Sequence, residues 1–216
     1  MFFRGKTPRT RSELIAEADV ARSKGRLKKA IAGYRKALEL EPKDPVIHGK
    51  LAPLLARAHQ SEAALQSFHT AAQAHLEKGF ADKAIAVYTQ AADTFPHRVD
   101  LWRQLSQLNL SRDRRADAVR ALIRGRFHFS RRNERREAIA LLQEALALDP
   151  DLFEPKLDLA LLLARQGQRA EALALLEPLA QGAQGPAAAR VHWTLLRISP
   201  GLGTGWRWLR SALTRR

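Results

Sequence analysis

One spacing recurs along the chain and constrains its fold more than any other feature. Ala30-x3-Tyr34-x2-Ala37-x4-Pro42 returns as Ala64-x3-Phe68-x2-Ala71, as Ala84-x3-Tyr88-x2-Ala91-x4-Pro96 and as Ala138-x3-Leu142-x2-Ala145-x4-Pro150, with a looser copy at Ala172-x3-Leu176. Steps of three and four place these residues on one helical stripe, where small residues permit close approach and the bulky one fills the gap. Upstream of several copies lies a second apolar stripe, Leu51, Ala52 and Leu55 or Trp102 and Leu105. Gly25, Gly79 or Gly167 separates the two segments and Pro ends the second, the punctuation of helix–turn–helix pairs. No stretch alternates with period two over a useful length, so the expected fold class is all-α.

The anchoring alanines are unevenly spaced. Ala30, Ala84 and Ala138 lie 54 residues apart, as do Ala64, Ala118 and Ala172, so alternate gaps are 34 and 20. A gap of 20 leaves no room for a fresh helix pair. The spacing therefore predicts two shared helices, over about 61–78 and 114–131, each closing one pair and opening the next. Three 54-residue units of three helices follow, 11–64, 65–118 and 119–172. In the later shared helix Ala118, Leu122, Gly125 and Phe129 form the packed stripe. Beyond the array, Gly182-Ala183-Gln184-Gly185-Pro186 is a break and Ala187–Ile198 a further helix. Ser199-Pro200-Gly201-Leu202-Gly203-Thr204-Gly205 reads as a flexible loop before a short Trp206–Thr214 helix.

The A-x3-F-x2-A-x4-P spacing resembles the second half of the tetratricopeptide repeat. The first half, W-x2-L-G-x2-Y, is matched well only by Trp102 with Leu105. The resemblance covers about residues 11–182, between a basic tail at 1–10 and a capping segment at 183–216. It implies a right-handed solenoid of antiparallel helix pairs, about six overlapping repeats with two shared helices. The family's carboxylate clamp needs Lys and Asn where this chain has Ile15, Asp19, Gly49 and Lys50, so binding of the clamp type is not expected.

Signatures of catalysis are missing. The chain has no Cys, which removes disulfides, zinc-thiolate sites and thiol nucleophiles together. None of its seven His stands three or four residues from another, so no helical metal pair forms. Neither H-E-x-x-H nor G-x-x-x-x-G-K-[ST] occurs, and Gly201-x-Gly203-x-Gly205 fits a hinge better than a dinucleotide turn. Asp149 and Asp151 flank a Pro turn as solvated carboxylates, and His75 reads as a packed, hydrogen-bonded imidazole. The expectation is a protein without enzyme activity, cofactor, metal or small-molecule substrate. No run approaches the roughly 18 apolar residues of a membrane span, and Met1-Phe2-Phe3-Arg4-Gly5-Lys6 lacks the apolar core of a secretory signal. A cytoplasmic site follows as an expectation, with membrane association only through a complex. Arg outnumbers Lys 27 to 10, a composition expected of a GC-rich bacterial genome.

What the chain does carry is charge, +15 at pH 7, and it is unevenly placed. Residues 1–36 hold 11 basic and 3 acidic side chains, 111–136 hold 10 and 3, and 181–216 hold 6 and none; 137–180 hold 3 and 8. All ten basic residues of 111–136 are Arg. At about 100° per residue, Arg120, Arg124, Phe127 and Arg131 share one stripe, opposite the packed one. The residues 54 earlier are Gln66, Thr70, Gln73 and Glu77, so the repeat itself does not demand Arg and Phe there. In the tetratricopeptide family such first-helix positions line the groove that receives ligand peptides. The resemblance thus implies a basic groove of Arg120, Arg124, Phe127 and Arg131, with Arg103 and Gln107 as neighbours, taking an acidic peptide or partner helix. Guanidinium forks would hold carboxylates while the ring supplies burial. A solvated arginine face is the plain alternative. Two others are nucleic-acid binding through the basic blocks and attachment to a membrane surface through the basic termini, each carrying aromatics (Phe2, Phe3; Trp206, Trp208).

Overall fold

The computed structural model describes residues 10–213; the tail at 1–9, with Phe2 and Phe3, lies outside the described residues. Those residues form twelve α-helices, one 3-10 turn at Arg132–Glu134 and no strand. They fall into two compact units divided after Pro96. The first holds α1 (Arg11–Ser23), α2 (Leu27–Leu40), α3 (Pro45–Arg57), α4 (Ser61–Glu77) and α5 (Ala81–Thr94). The second holds α6 (Val99–Leu110), α7 (Arg115–Arg126), α8 (Arg135–Leu148), α9 (Phe153–Arg165), α10 (Arg169–Gly182), α11 (Gly185–Ile198) and α12 (Leu202–Leu213). Helix starts return every 54 residues: 45, 99 and 153; 61, 115 and 169; 27, 81 and 135.

Five of the helix–helix turns are alike. Gly25, His59, Gly79, Asp113 and Gly167 each take a positive φ. The next N–H then bonds the carbonyl five residues back: Arg26 to Ala21, Gln60 to Leu55, Phe80 to His75, Arg114 to Asn109 and Gln168 to Leu163. This closure satisfies carbonyls that a helix end leaves open. Glycine takes the left-handed region without strain, whereas His59 and Asp113 hold it at a cost.

The repeated stripes form the core. All six anchoring alanines are fully buried, and Tyr34, Phe68, Tyr88, Leu142 and Leu176 are buried between helices. α4 packs against both α3 and α5, and α7 against both α6 and α8. Leu122 is buried on the packed stripe of α7, and Phe129, beyond the end of that helix, is buried as well.

Three expectations are corrected. The span 114–131 is not one helix, because α7 stops at Arg126. Its end is set by aromatic packing: the His128 ring stacks on fully buried Trp102 at 5.5 Å, and Phe129 meets His97 edge-on at 6.1 Å. To seat both rings the chain leaves the helix through i→i+3 turns, with His128 N–H on Gly125 O and Phe129 N–H on Arg126 O. The glycine-rich segment after Ser199 is not a loop up to Gly205, since α12 begins at Leu202, with Gly205 N–H bonded to Gly201 O and the Thr204 hydroxyl donating to Ser199 O. Finally, His75 is packed, edge-on to Phe80 at 6.5 Å, but its Nδ1 is buried without a hydrogen-bond partner.

Arginine has a repeated structural use in the second unit. Arg115, Arg135 and Arg169 each open a helix, and each donates to the last carbonyl of the helix that follows: Leu148, Arg165 and Ile198 respectively. A guanidinium at a helix C-terminus satisfies an open carbonyl and opposes the negative end of the dipole.

Candidate binding groove

The C-terminal end of α7 forms one wall of a groove in the second unit. Its volume is about 510 Å³, and the lining includes Ile123, Phe127, Leu142, Leu152, Phe153 and Pro155. Phe127 caps the end of α7 and is 65% exposed, a large apolar ring left at the lip. Behind it the Arg126 guanidinium lies 4.9 Å from the Phe127 ring and pairs with Asp158 on α9. Burial pushes the Asp158 carboxyl above the usual carboxylate range, against the charge and hydrogen bond of Arg126. The Nε of Arg126 is buried with no acceptor. Across the groove Arg190 lies over the Phe153 ring at 5.8 Å and pairs with Glu154.

The residues singled out from the sequence do not all meet here. Phe127 does. Arg120 and Arg124 are exposed on the same helix, Arg120 paired with Asp117 and Arg124 placed 5.6 Å over the Trp102 ring. Arg131 is exposed but lies past the end of α7, where its N–H bonds the Glu134 carboxylate at the 3-10 turn. The single stripe of four is therefore broken after Phe127. On α6, Gln107 is exposed, whereas Arg103 is engaged with Glu144 of α8 at 2.6 Å. The far wall, from Leu152 to Asp158, escaped the sequence reading. The signal was there in Phe153 and Pro155 opening a helix directly after the Asp149–Asp151 turn.

Two of the four positions that would carry a carboxylate clamp, Asp19 and Lys50, serve each other instead. Lys50 pairs with Asp19 at 2.8 Å, and the Tyr34 hydroxyl donates to the same carboxylate. At the other end of the chain, Trp206 is 69% exposed and Leu209 is also exposed, so Trp206 does not serve as packing for a cap. The side chains of Trp208 and Leu213 lie outside the described residues. Among the described residues no helix is long and apolar enough to cross a membrane, and no group of three His, Asp or Glu could hold a metal.

Paired helices, a stacked alanine core and repeated left-handed turns define a helical-repeat protein of the tetratricopeptide class, and residues 131–192 match a tetratricopeptide-repeat family model. More than half of the chain, residues 10–132, matches the bacterial transcriptional activator domain, and the chain belongs to that family. Solved structures similar to it include a TPR repeats protein of Bacteroides fragilis NCTC 9343, at 14% identity and TM-score 0.39, covering 95% of this chain and 99% of that one. A tetratricopeptide repeat protein of Parabacteroides merdae ATCC 43184 shows 17% identity and TM-score 0.34 over 95% and 91%. Pseudomonas aeruginosa pilF shows 17% and 0.30 over 94% and 89%. No curated protein matches the chain.

Proposed function

We propose that the protein is a non-enzymatic scaffold that receives an acidic, partly apolar peptide or partner helix at the end of α7. One observation carries the reading. Phe127 stands 65% exposed beside an apolar groove, in a segment of ten arginines and three acids. A ring in that position anchors an apolar side chain, and the exposed guanidiniums of Arg120, Arg124 and Arg131 take the partner's carboxylates. Gln107 on α6 extends the polar rim, and Arg103 braces α6 against α8 through Glu144. The match to a bacterial transcriptional activator domain supports a bacterial regulatory setting, in which the protein acts as a cytoplasmic helical-repeat module that joins proteins rather than transforming a substrate.

The test is a panel of labelled Glu- and Leu-rich helical peptides titrated against the full chain. Phe127→Ala is expected to weaken the tightest peptide by about 1–2 kcal/mol, as for an interface anchor, with the helical signal unchanged. Arg124→Glu should weaken it as well and flatten the salt dependence. Unchanged affinity in Phe127→Ala would remove the groove from the function and leave a solvated arginine face.

A further inference from the structure

A second cleft, of about 380 Å³, opens at the α9–α10 turn against the end of α11. Arg165, Arg169 and Arg197 line it, with Leu161, Ala164 and Ile198 as its apolar wall; among the described residues no acidic side chain is part of the lining. Two carboxylates of the bordering helices have partners outside the lining: Glu171 accepts from Gln168 Nε2 at 3.0 Å and 3.2 Å, and Asp158 pairs with Arg126, with the charge of Arg165 acting on it as well. The negative ends of the two bordering helices are covered too. Arg165 O accepts from Arg135 at 3.0 Å, and Ile198 O accepts from Arg169 Nε at 2.7 Å.

The chain contains its own control for how many arginines this junction needs. Arg115 stands 54 residues before Arg169 and does the same work. It opens a helix after a positive-φ turn, at Asp113 rather than Gly167, and its Nε donates to the last carbonyl of the next helix, Leu148. Where the later junction has Arg165, the earlier one has Ser111. Where Arg197 precedes Ile198, Ala147 precedes Leu148. The junction therefore closes with one guanidinium, and Arg165 and Arg197 exceed what the fold requires. Both are exposed, so neither is needed to fill the core.

We infer that this cleft is a binding site for a small phosphate-bearing molecule. Three guanidiniums on one wall match the two or three negative charges of a phosphate or diphosphate better than the single charge of a carboxylate, and their forked N–H groups suit phosphate oxygens. The bond from Arg169 Nε to Ile198 O fixes that guanidinium before any ligand arrives, which lowers the ordering cost of binding. The volume lies in the range of small-molecule pockets, and Leu161, Ala164 and Ile198 cover the uncharged part of the ligand. No phosphate loop announces the site in the sequence, because its three cations come from the end of α9, the start of α10 and the end of α11.

Inorganic pyrophosphate is the probe, titrated calorimetrically into the full chain at an ionic strength held constant with sodium chloride. Saturable binding at one site per chain is expected. Combining Arg165→Ser with Arg197→Ala, the residues of the earlier junction, should loosen it by about tenfold or more while leaving circular dichroism unchanged. Arg112→Gln with Arg132→Gln removes the same charge elsewhere and should bind as the parent does. If the double variant loses its fold, the single variants Arg165→Ser and Arg197→Ala carry the comparison. Unsaturable heats, an unaffected cleft variant, or equal loosening in the Arg112/Arg132 control would overturn the site. A short single-stranded oligonucleotide that bound more tightly than pyrophosphate and lost binding in the cleft variant would overturn the assignment to a small molecule.

Discussion

Gly125 shows how one residue sets a helix contact. A Cβ added there would meet Trp102 Cγ at 2.5 Å and its Cβ at 2.9 Å. The indole cannot swing away, being fully buried and stacked under His128. Alanine at a helical glycine ordinarily gains about 1 kcal/mol of helix propensity, but overpacking of a filled core costs about 1–3 kcal/mol, and the clash wins. Gly125→Ala is therefore expected to destabilise the second unit by up to about 2 kcal/mol in urea denaturation; a higher midpoint would show that Trp102 moves freely. Its spacing from Ala118 and Leu122 places Gly125 on the packed stripe, and all three are buried on α7. What spacing could not convey was the ring overhead. That Trp102 and His128 stack depends on the path of the chain after α7, which periodicity does not encode.

The spacing predicts α4 and α7 alike, and they differ at their C-terminal ends. Helical spacing fixed which face each buries, because stripes of alanine and one bulky residue can pack only one way. It did not fix where α7 stops, since the stop comes from aromatic rings seated on another helix. The end of α4 follows its local sequence more closely, with Gly79 closing the turn. There His75 sits buried, its Nδ1 unpartnered, with Phe80 against its ring. Burial, then the charges of Lys83 and Lys78, hold its pKa below the usual value of 6.5. Below about pH 6.5 the unfolded chain binds a proton that folded His75 resists. This contribution is thus complete above that pH and is lost as pH falls. The thermal midpoint should drop between neutral and mildly acid pH, and His75→Leu should shrink the drop. It should not abolish it, because His192 is lowered likewise, by burial and then by Arg207. An identical drop in His75→Leu would mean that imidazole stays neutral or finds a partner when charged.

For the whole molecule the question is what a net charge of +15 does to stability. Many arginines are engaged: Arg115, Arg135 and Arg169 on carbonyls, Arg103, Arg120, Arg126 and Arg190 on carboxylates. The uneven charge blocks were legible from sequence, but this division of labour was not, because a carbonyl acceptor 29–33 residues away leaves no local pattern. Two effects of salt then compete. Screening weakens the ion pairs, and it also weakens repulsion among the surplus cations. Pairs with both side chains well exposed contribute only about 0–1 kcal/mol each, and carbonyl caps involve a neutral acceptor that salt barely affects. Repulsion has no such partner to limit it, since 37 basic residues face 22 acidic ones. The thermal midpoint should therefore rise as sodium chloride goes from about 0.01 M to about 0.15 M, over which the screening length contracts from about 30 Å to about 8 Å. A midpoint that fell over this range would show that the ion pairs, Arg126–Asp158 foremost because it is the most buried of those four, outweigh the repulsion. A rise with chloride alone also sets the baseline for pyrophosphate. Any further rise at equal ionic strength that disappears with Arg165→Ser and Arg197→Ala belongs to the cleft at the end of α11 and not to general screening.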